Sequence, residues 1–538
     1  MNSKIINPSQ YKKITSVSKE KRSAKIEKKV RKGKSSNLND IDNLFQRKDY
    51  TAKKRFFIGI SLICFMALLS VVSASLFEIE ENEYVAVVAN TEERKINKDF
   101  DLKIGISNLN LKRNVIINEL KNVSYSSILS YDEKYNITLD LAESITKDDN
   151  LSYTIKFKKD SVNEIVKSVI EGINTDSQNI YYSAISNIDK TEIVDKYTLS
   201  IKLKEENDYF IYYLDFPVVS NSDVVNRKYN YEKNSSLLSA SFSKAKNADD
   251  ILSSITVLNY ESTSNLINDF KNGIINMFLT SDEDDMKLLS RYDYNIKKYR
   301  DGQTYFLLSN PNSELAKMSE VRKAIVYSLD RQNIAKKVST SFAEVIDVPY
   351  IYSTINYKYD TYAIDNILSS NGWSKKNGLY TKKNEDSDEV KLKLKIVVNS
   401  SDSIRLKIGE MIADMLEENS IGVELKRLSS EELTEAVESM DYDFILSVVN
   451  ITQNPDITFL YNYININEAV SEAIKKVKDS DFYTITEAVN NLENTIYNEV
   501  ACIGIISKNT NVIYGKDIVG FDNISYMRIF NDISKIGK

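Results

Sequence analysis

YFLLSNPNSELAKMSEVRKAIVYSLDRQNI, Tyr305 to Ile334, is the stretch that decides how this chain folds. YFLLSN, Tyr305 to Asn310, reads as a short apolar strand, and SEVRKAIVYSLDRQNIAKKV follows it as a helix. Within that helix Val321, Ala324, Ile325 and Leu329 share much of one face, the spacing of a stripe turned toward a core. The same alternation recurs downstream. TYAIDNILSSNGW is a further helix, ended by Gly372. KLKLKIVVN, Lys391 to Asn399, and SIRLKIGEMIADMLEENSIGVELKRL then read strand, helix, strand. The helix EELTEAVESM leads into the apolar strand FILSVVN, and helices over Asn467 to Lys476 and Phe482 to Glu499 precede IGIISKNTNVIYG. Strands alternating with helices predict α/β lobes rather than an all-β domain.

Upstream, DLKIGISNLN from Asp101 reads as a strand, and Ser124 to Ile145 carries helical and turn signals. LSYTIKFKKD and YTLSIKLKEEN alternate apolar and polar residues at the strand period, with the amphipathic helix SVNEIVKSVIEGI between them. Residues 221–250 are rich in Asn, Ser and Lys and predict a loop-heavy excursion. ITVLNY and SNLINDFKNGIINMFL then supply another strand and helix. No repeat of fixed period is present.

The uncharged run FFIGISLICFMALLSVVSASLF, Phe56 to Phe77, has 22 residues. As a helix it would reach about 33 Å, roughly the hydrocarbon thickness of a bilayer. Lys53, Lys54 and Arg55 precede it and Glu78, Glu80 and Glu81 follow, so the expected topology is single-pass, N-terminus cytoplasmic and the rest extracellular. Val72-Ser73-Ala74 offers a cleavage site, but 55 residues upstream are far longer than a signal-peptide head. Cys64 follows Ile63 inside the run, which does not suit lipid modification. An uncleaved signal anchor is the expectation.

The net charge of −6 hides two blocks: residues 1–55 carry 17 Lys or Arg against 5 Asp or Glu, and the remainder 54 against 72. A basic tail beside a membrane meets anionic lipid head groups. It carries no aromatic interleaving, so nucleic acid is not the expected partner. Cys64 and Cys502 are the only cysteines, so the outer part has no internal disulfide. No histidine occurs, which excludes histidine-based triads and histidine-ligated zinc. No metal-ligand cluster or cofactor motif is evident, and the composition points away from an enzyme.

Six blocks in order resemble the solute-binding proteins of bacterial oligopeptide, dipeptide and nickel importers. They are Ile128 to Asp160, Val194 to Ser220, Tyr305 to Ile334, YDTYAIDNILSSNGW, DYDFILSVVNITQNPDITFLY and EVACIGIISKNTNVIYGKDIVGF. The resemblance implies a two-lobed periplasmic-binding-protein-like α/β fold with discontinuous lobes, preceded here by one transmembrane helix. The expected division is a basic cytoplasmic tail (1–55), the transmembrane helix (56–77), a stalk (78–100), a first lobe with an accessory subdomain (101–300), a second lobe (301–500) and a return to the first lobe (501–538).

The resemblance further implies capture of a peptide or related small solute outside the cell and delivery to an ABC permease, with no chemistry on the ligand. It makes Arg322, Asp330 and Arg331 scaffold. Relatives that bind oligopeptides receive the ammonium on an aspartate in the loop after FILSVVN, and the matching residue here is Thr452. Thr452, Asn454, Asp456 and Tyr305 are the ligand-binding candidates. A turn at Asn454-Pro455-Asp456 and a core position for Tyr305 are the structural alternatives. A second departure is NSSLLSASFSKAKNADD, Asn234 to Asp250, which has neither the glycine nor the tryptophan of its counterpart. Trp373 reads as scaffold. A ligand-altered or binding-dead relative with a structural, sensing or regulatory role is therefore the alternative, its tail offering a route to a cytoplasmic protein partner.

Overall fold

The computed structural model describes residues 96–107, 112–233, 239–249, 251–339, 341–384 and 388–538. The basic tail, the apolar run Phe56 to Phe77 and stalk residues 78–95 lie outside the described residues. Among the described residues no helix is long and apolar enough to cross a membrane. At Asn97 the chain is already tied by paired backbone hydrogen bonds to Lys538.

An 11-stranded mixed sheet runs through the molecule. At one end Lys393–Asn399 pairs in parallel with both Gly422–Leu428 and Phe444–Asn450. At the other, Asp101–Ser107 pairs in parallel with Ser254–Tyr260 and Met277–Thr280. Two long antiparallel strands, Tyr294–Ser309 and Ile503–Gly515, join the halves. Their register shifts between Arg300 and Thr304. Gly302 sits at φ +87 there, and a Cβ on it would lie 2.4 Å from the Ile451 carbonyl oxygen, so only glycine fits this kink. The YFLLSN strand is thus the second half of a strand that crosses between lobes. The result is a two-lobed α/β fold of the binding-protein type.

The helices after each strand carry local start signals. Asp360 caps Thr361–Ser370 through Tyr362 N and Ala363 N, and Gly372 at φ +85 follows its end. Asp402 caps Ser403–Glu418, which buries Ile408, Ile412 and Leu416. Ser429 and Glu432 form a capping box on Ser430–Glu438. Arg322 is scaffold: it donates to the carbonyls of Val500 (2.7 Å), Ala316 (2.9 Å), Lys317 (2.6 Å) and Glu499 (2.9 Å), satisfying chain ends that helices leave open. Arg331 is buried in an ion pair with Asp347, and Asp330 caps Arg331–Val338. Trp373 is buried in the second lobe's core.

Two readings are corrected. Residues 124–145 form the short strands Leu129–Tyr131, Ile137–Leu139 and the start of Ala142–Lys147, not helix. Residues 221–250 contain the paired strands Tyr229–Lys233 and Ser239–Lys244. Ala240 and Phe242 point inward at the strand period there, a signal too short to stand out among Ser, Asn and Lys.

An accessory layer is inserted within the first lobe's sequence, a four-stranded sheet of Ala142–Lys147, Ser152–Phe157, Thr198–Leu203 and Ile188–Asp195. Its apolar core continues into the second lobe. Ile128 to Val225 of the layer and Phe306, Tyr350, Ile457, Ile485 and Leu492 of the second lobe belong to one buried cluster. The first lobe has separate cores, built around Leu102, Ile104, Phe242, Val512 and Phe530 and around Leu266, Phe278 and Ile513.

Candidate functional site

Asp215 ends the 3-10 turn Phe210–Asp215, a carboxyl closing an otherwise apolar run. Gln453, on the loop after Phe444–Asn450, donates from Nε2 to its Oδ2 at 3.2 Å. Tyr131 and Tyr181 of the accessory layer stand beside it, and Arg528 approaches from the C-terminal segment, which packs in the first lobe. Three distant stretches of chain therefore meet around one carboxyl. Asp215 retains some accessible surface, yet protein crowds it. The loss of solvation raises its pKa to about 7, against the pull of Arg528.

Arg528 is held in place by neutral partners. Its Nε donates to the Tyr352 hydroxyl at 3.0 Å and its Nη2 to the Tyr131 carbonyl. The guanidinium lies 5.6 Å from the Tyr131 ring centroid and 5.3 Å from that of Tyr352. The Tyr352 hydroxyl donates a hydrogen bond to the Tyr526 carbonyl at 2.8 Å. Asn122 donates to the Tyr181 hydroxyl at 3.0 Å. The Tyr131 hydroxyl is buried and faces the Asp215 carboxyl. This chamber presents an acid, a base, phenols and amides, groups suited to orienting a polar solute.

A polar crevice of about 540 Å³ opens beside Arg528. Asp132, Glu133 and Lys134 of the accessory layer line one side, and Asn523, Asp532 and Lys535 the other. Where the accessory layer meets the second lobe, by contrast, Tyr153 and Ile211 pack against Phe482 and Ile485 and leave a void of only about 10 Å³.

The four candidates from the sequence are not brought together. Thr452 is exposed beside Gln453, its hydroxyl donating to the Asn454 carbonyl at 3.4 Å. Asn454 is buried and accepts from Asp456 N at 2.9 Å. Asp456 accepts from Thr458 N (3.0 Å) and from the Tyr213 hydroxyl (3.0 Å). Both serve the turn. Tyr305 is 2% exposed and packs in the second lobe's core with Leu307 and Ile325. Asp215 and Arg528 were missed. The signal available was a lone charge inside an aromatic run, in YYLDFP and in SYMRIF.

Fold and chamber together define a two-lobed solute-binding protein. The family described as "Bacterial extracellular solute-binding proteins, family 5 Middle" matches residues 136–469, and the chain belongs to that family. It is 22% identical over 437 residues, 71% of this chain and 80% of the other, to the oligopeptide-binding protein AppA of Bacillus subtilis (strain 168). A nickel ABC transporter structure from Bacillus halodurans aligns with TM-score 0.62 at 20% identity, covering 80% of this chain and 98% of that one. An ABC transporter substrate-binding protein from Sinorhizobium meliloti aligns with TM-score 0.58 at 14% identity, covering 79% and 97%. Members of such a class bind solutes rather than transform them. Among the described residues no group of three Cys, Asp or Glu side chains is placed to hold a metal ion.

Proposed function

We propose that this protein captures a peptide or related small polar solute in the Asp215–Arg528 chamber and hands it to the permease of an ABC importer. The observation carrying this reading is the hydrogen bond from Gln453 to Asp215, which joins the loop after Phe444–Asn450 to the accessory layer, opposite Arg528. A positively charged solute group would complete the Asp215 carboxyl, which the Tyr131 hydroxyl faces. Peptide is favoured as cargo by the B. subtilis relative, named for oligopeptide binding. The chain itself has no histidine side chain to ligate a metal. Thr452, exposed beside Gln453, remains the one sequence candidate proposed to meet the solute. The run Phe56 to Phe77 is proposed as the anchor that keeps the binding domain at the outer membrane surface. The basic tail is then proposed to lie inside against anionic lipid, within reach of a cytoplasmic protein.

The test is thermal unfolding of the full-length protein with a tryptic digest of casein. Binding to the native state alone raises the transition temperature. Asp215→Asn should weaken binding by about 10-fold or more, the effect of losing one charge-assisted contact of roughly 1.5–3 kcal/mol. No shift with the digest contradicts the peptide reading, and an unchanged shift in the variant removes Asp215 from it.

A further inference from the structure

We propose that capture is an ion exchange at Asp215: the solute-free chamber holds one proton on this carboxyl, and a cationic solute group displaces it to water. The inference rests on the solute-binding reading and adds what the chamber asks of its cargo. It begins with a carboxyl enclosed largely by neutral groups. Asp215 closes the run Phe210–Asp215, in which Phe210, Ile211, Tyr212 and Leu214 are buried. Gln453 donates to its Oδ2 at 3.2 Å, and the Tyr131 hydroxyl faces it from the strand Leu129–Tyr131. Tyr181 stands beside it, its hydroxyl accepting from Asn122 at 3.0 Å. Tyr213 neighbours both this carboxyl and that of Asp456, to whose Oδ2 it donates at 3.0 Å.

The cation facing the carboxyl is Arg528, on the C-terminal segment. Among the described residues its hydrogen bonds go elsewhere, to the Tyr352 hydroxyl and the Tyr131 carbonyl, and Glu133 draws on its charge as well. Asp215 thus has neutral donors around it but no cation in contact. A carboxylate crowded in this way loses hydration without gaining a counter-charge, and a proton supplies one. Burial accordingly pushes its pKa up to about 7, even with Arg528 and the Tyr131 hydroxyl opposing. The carboxyl keeps some accessible surface, so a solute ammonium or guanidinium can reach the same oxygens. Such a cation stabilises only the charged form, which makes its arrival and the proton's departure one equilibrium. Below about pH 7 the solute must displace a proton and binds more weakly; above it the carboxylate is already bare and little is released.

The experiment uses full-length protein and two probes: trialanine, whose ammonium is its one cation, and an end-blocked tripeptide whose guanidinium is its one cation. Titration calorimetry in buffers of different ionisation heat counts the protons released per peptide bound. At about pH 5.5 the expected release approaches one proton for the probe that binds, and affinity rises on the order of 10-fold between about pH 5.5 and about 7. Tyr131→Phe keeps the ring beside Arg528 and removes a group that favours the charged carboxyl. It should move the pH midpoint of release upward, which a merely structural role would not do. Binding with no proton released overturns the proposal and leaves the solute-binding reading standing, whereas binding of neither probe overturns both. Infrared difference spectra need no solute: the parent minus Asp215→Asn should show a protonated carboxyl band at about pH 5.5 that is lost by about pH 8.5. Absence of that band overturns the proposal whatever the peptides do.

Discussion

The accessory layer has two neighbours and meets them by different physics. Toward the second lobe it presents Tyr153 and Ile211, which face Phe482 and Ile485 with room for about one water, and Phe210 packs on the Tyr153 ring with centroids 5.0 Å apart. Toward the first lobe it presents the Tyr131 carbonyl, Glu133 and the Tyr181 hydroxyl, across a crevice of about 540 Å³. Burial is nonspecific and grows with area, so the first boundary joins two chain segments through one shared core. Hydrogen bonds exchange with water at small net cost, so the second rests on the direction of a few contacts rather than on area.

The largest expected effect breaks the apolar side. Phe210→Ala should destabilise the full chain by about 3–5 kcal/mol, the range for emptying an aromatic core position. Urea unfolding should lose the accessory layer and the second lobe in one transition; loss of the accessory layer alone would contradict a shared core.

Next comes the support behind the polar seam. Glu119 is buried in the first lobe and accepts from Phe530 N at 2.8 Å, holding the segment that carries Arg528. Burial raises its pKa from 4.5 to about 8, against the opposing pull of backbone N–H groups and Arg528. The folded protein therefore keeps a proton that the unfolded chain loses above about 4.5. The stability this gives is complete below that pH and is lost as pH rises through about 8. Glu119→Gln keeps an acceptor for Phe530 N. The gap between variant and parent should grow by on the order of 3 kcal/mol from pH 4.5 to neutrality, read from urea midpoints. A gap independent of pH would contradict the buried protonated acid.

Tyr352→Phe removes two hydrogen bonds, the neutral one to the Tyr526 carbonyl and the charge-assisted one from Arg528, and should cost about 2 kcal/mol. It should also speed hydrogen exchange in the 523–530 segment without touching Ser152–Phe157. Last, Lys478→Ala removes an exposed ion pair with Glu206, 2.7 Å long, at the rim of the apolar boundary. It should change stability by less than about 0.5 kcal/mol. A larger loss would mean that the rim, not the core, joins the layer to the second lobe.

Much of the fold was legible because its signals are local. The strand and helix after Tyr305 and the stop at Gly372 each rest on residues within a few positions of one another. Arg322 was legible as scaffold, although its four carbonyl partners are not readable from sequence. The chamber was hardly legible. Asp215, Gln453 and Arg528 lie more than 70 residues apart in the chain, and only the tertiary fold brings them together. Thr452 fell one residue from Gln453, because the loop followed from the strand before it while the inward-facing side chain did not. Tyr305 failed as a cleft residue because strand alternation turns it to the Leu307 face.

Native-state hydrogen exchange with increasing urea tests the two boundaries most directly, since it reads which segments open together. The account predicts that amides of Ser152–Phe157 and Thr198–Leu203 share one opening free energy and one urea dependence with amides of Ile485–Asn498, while those of Asp101–Ser107 follow another. Accessory-layer amides that open together with Asp101–Ser107, and independently of Ile485–Asn498, would contradict it.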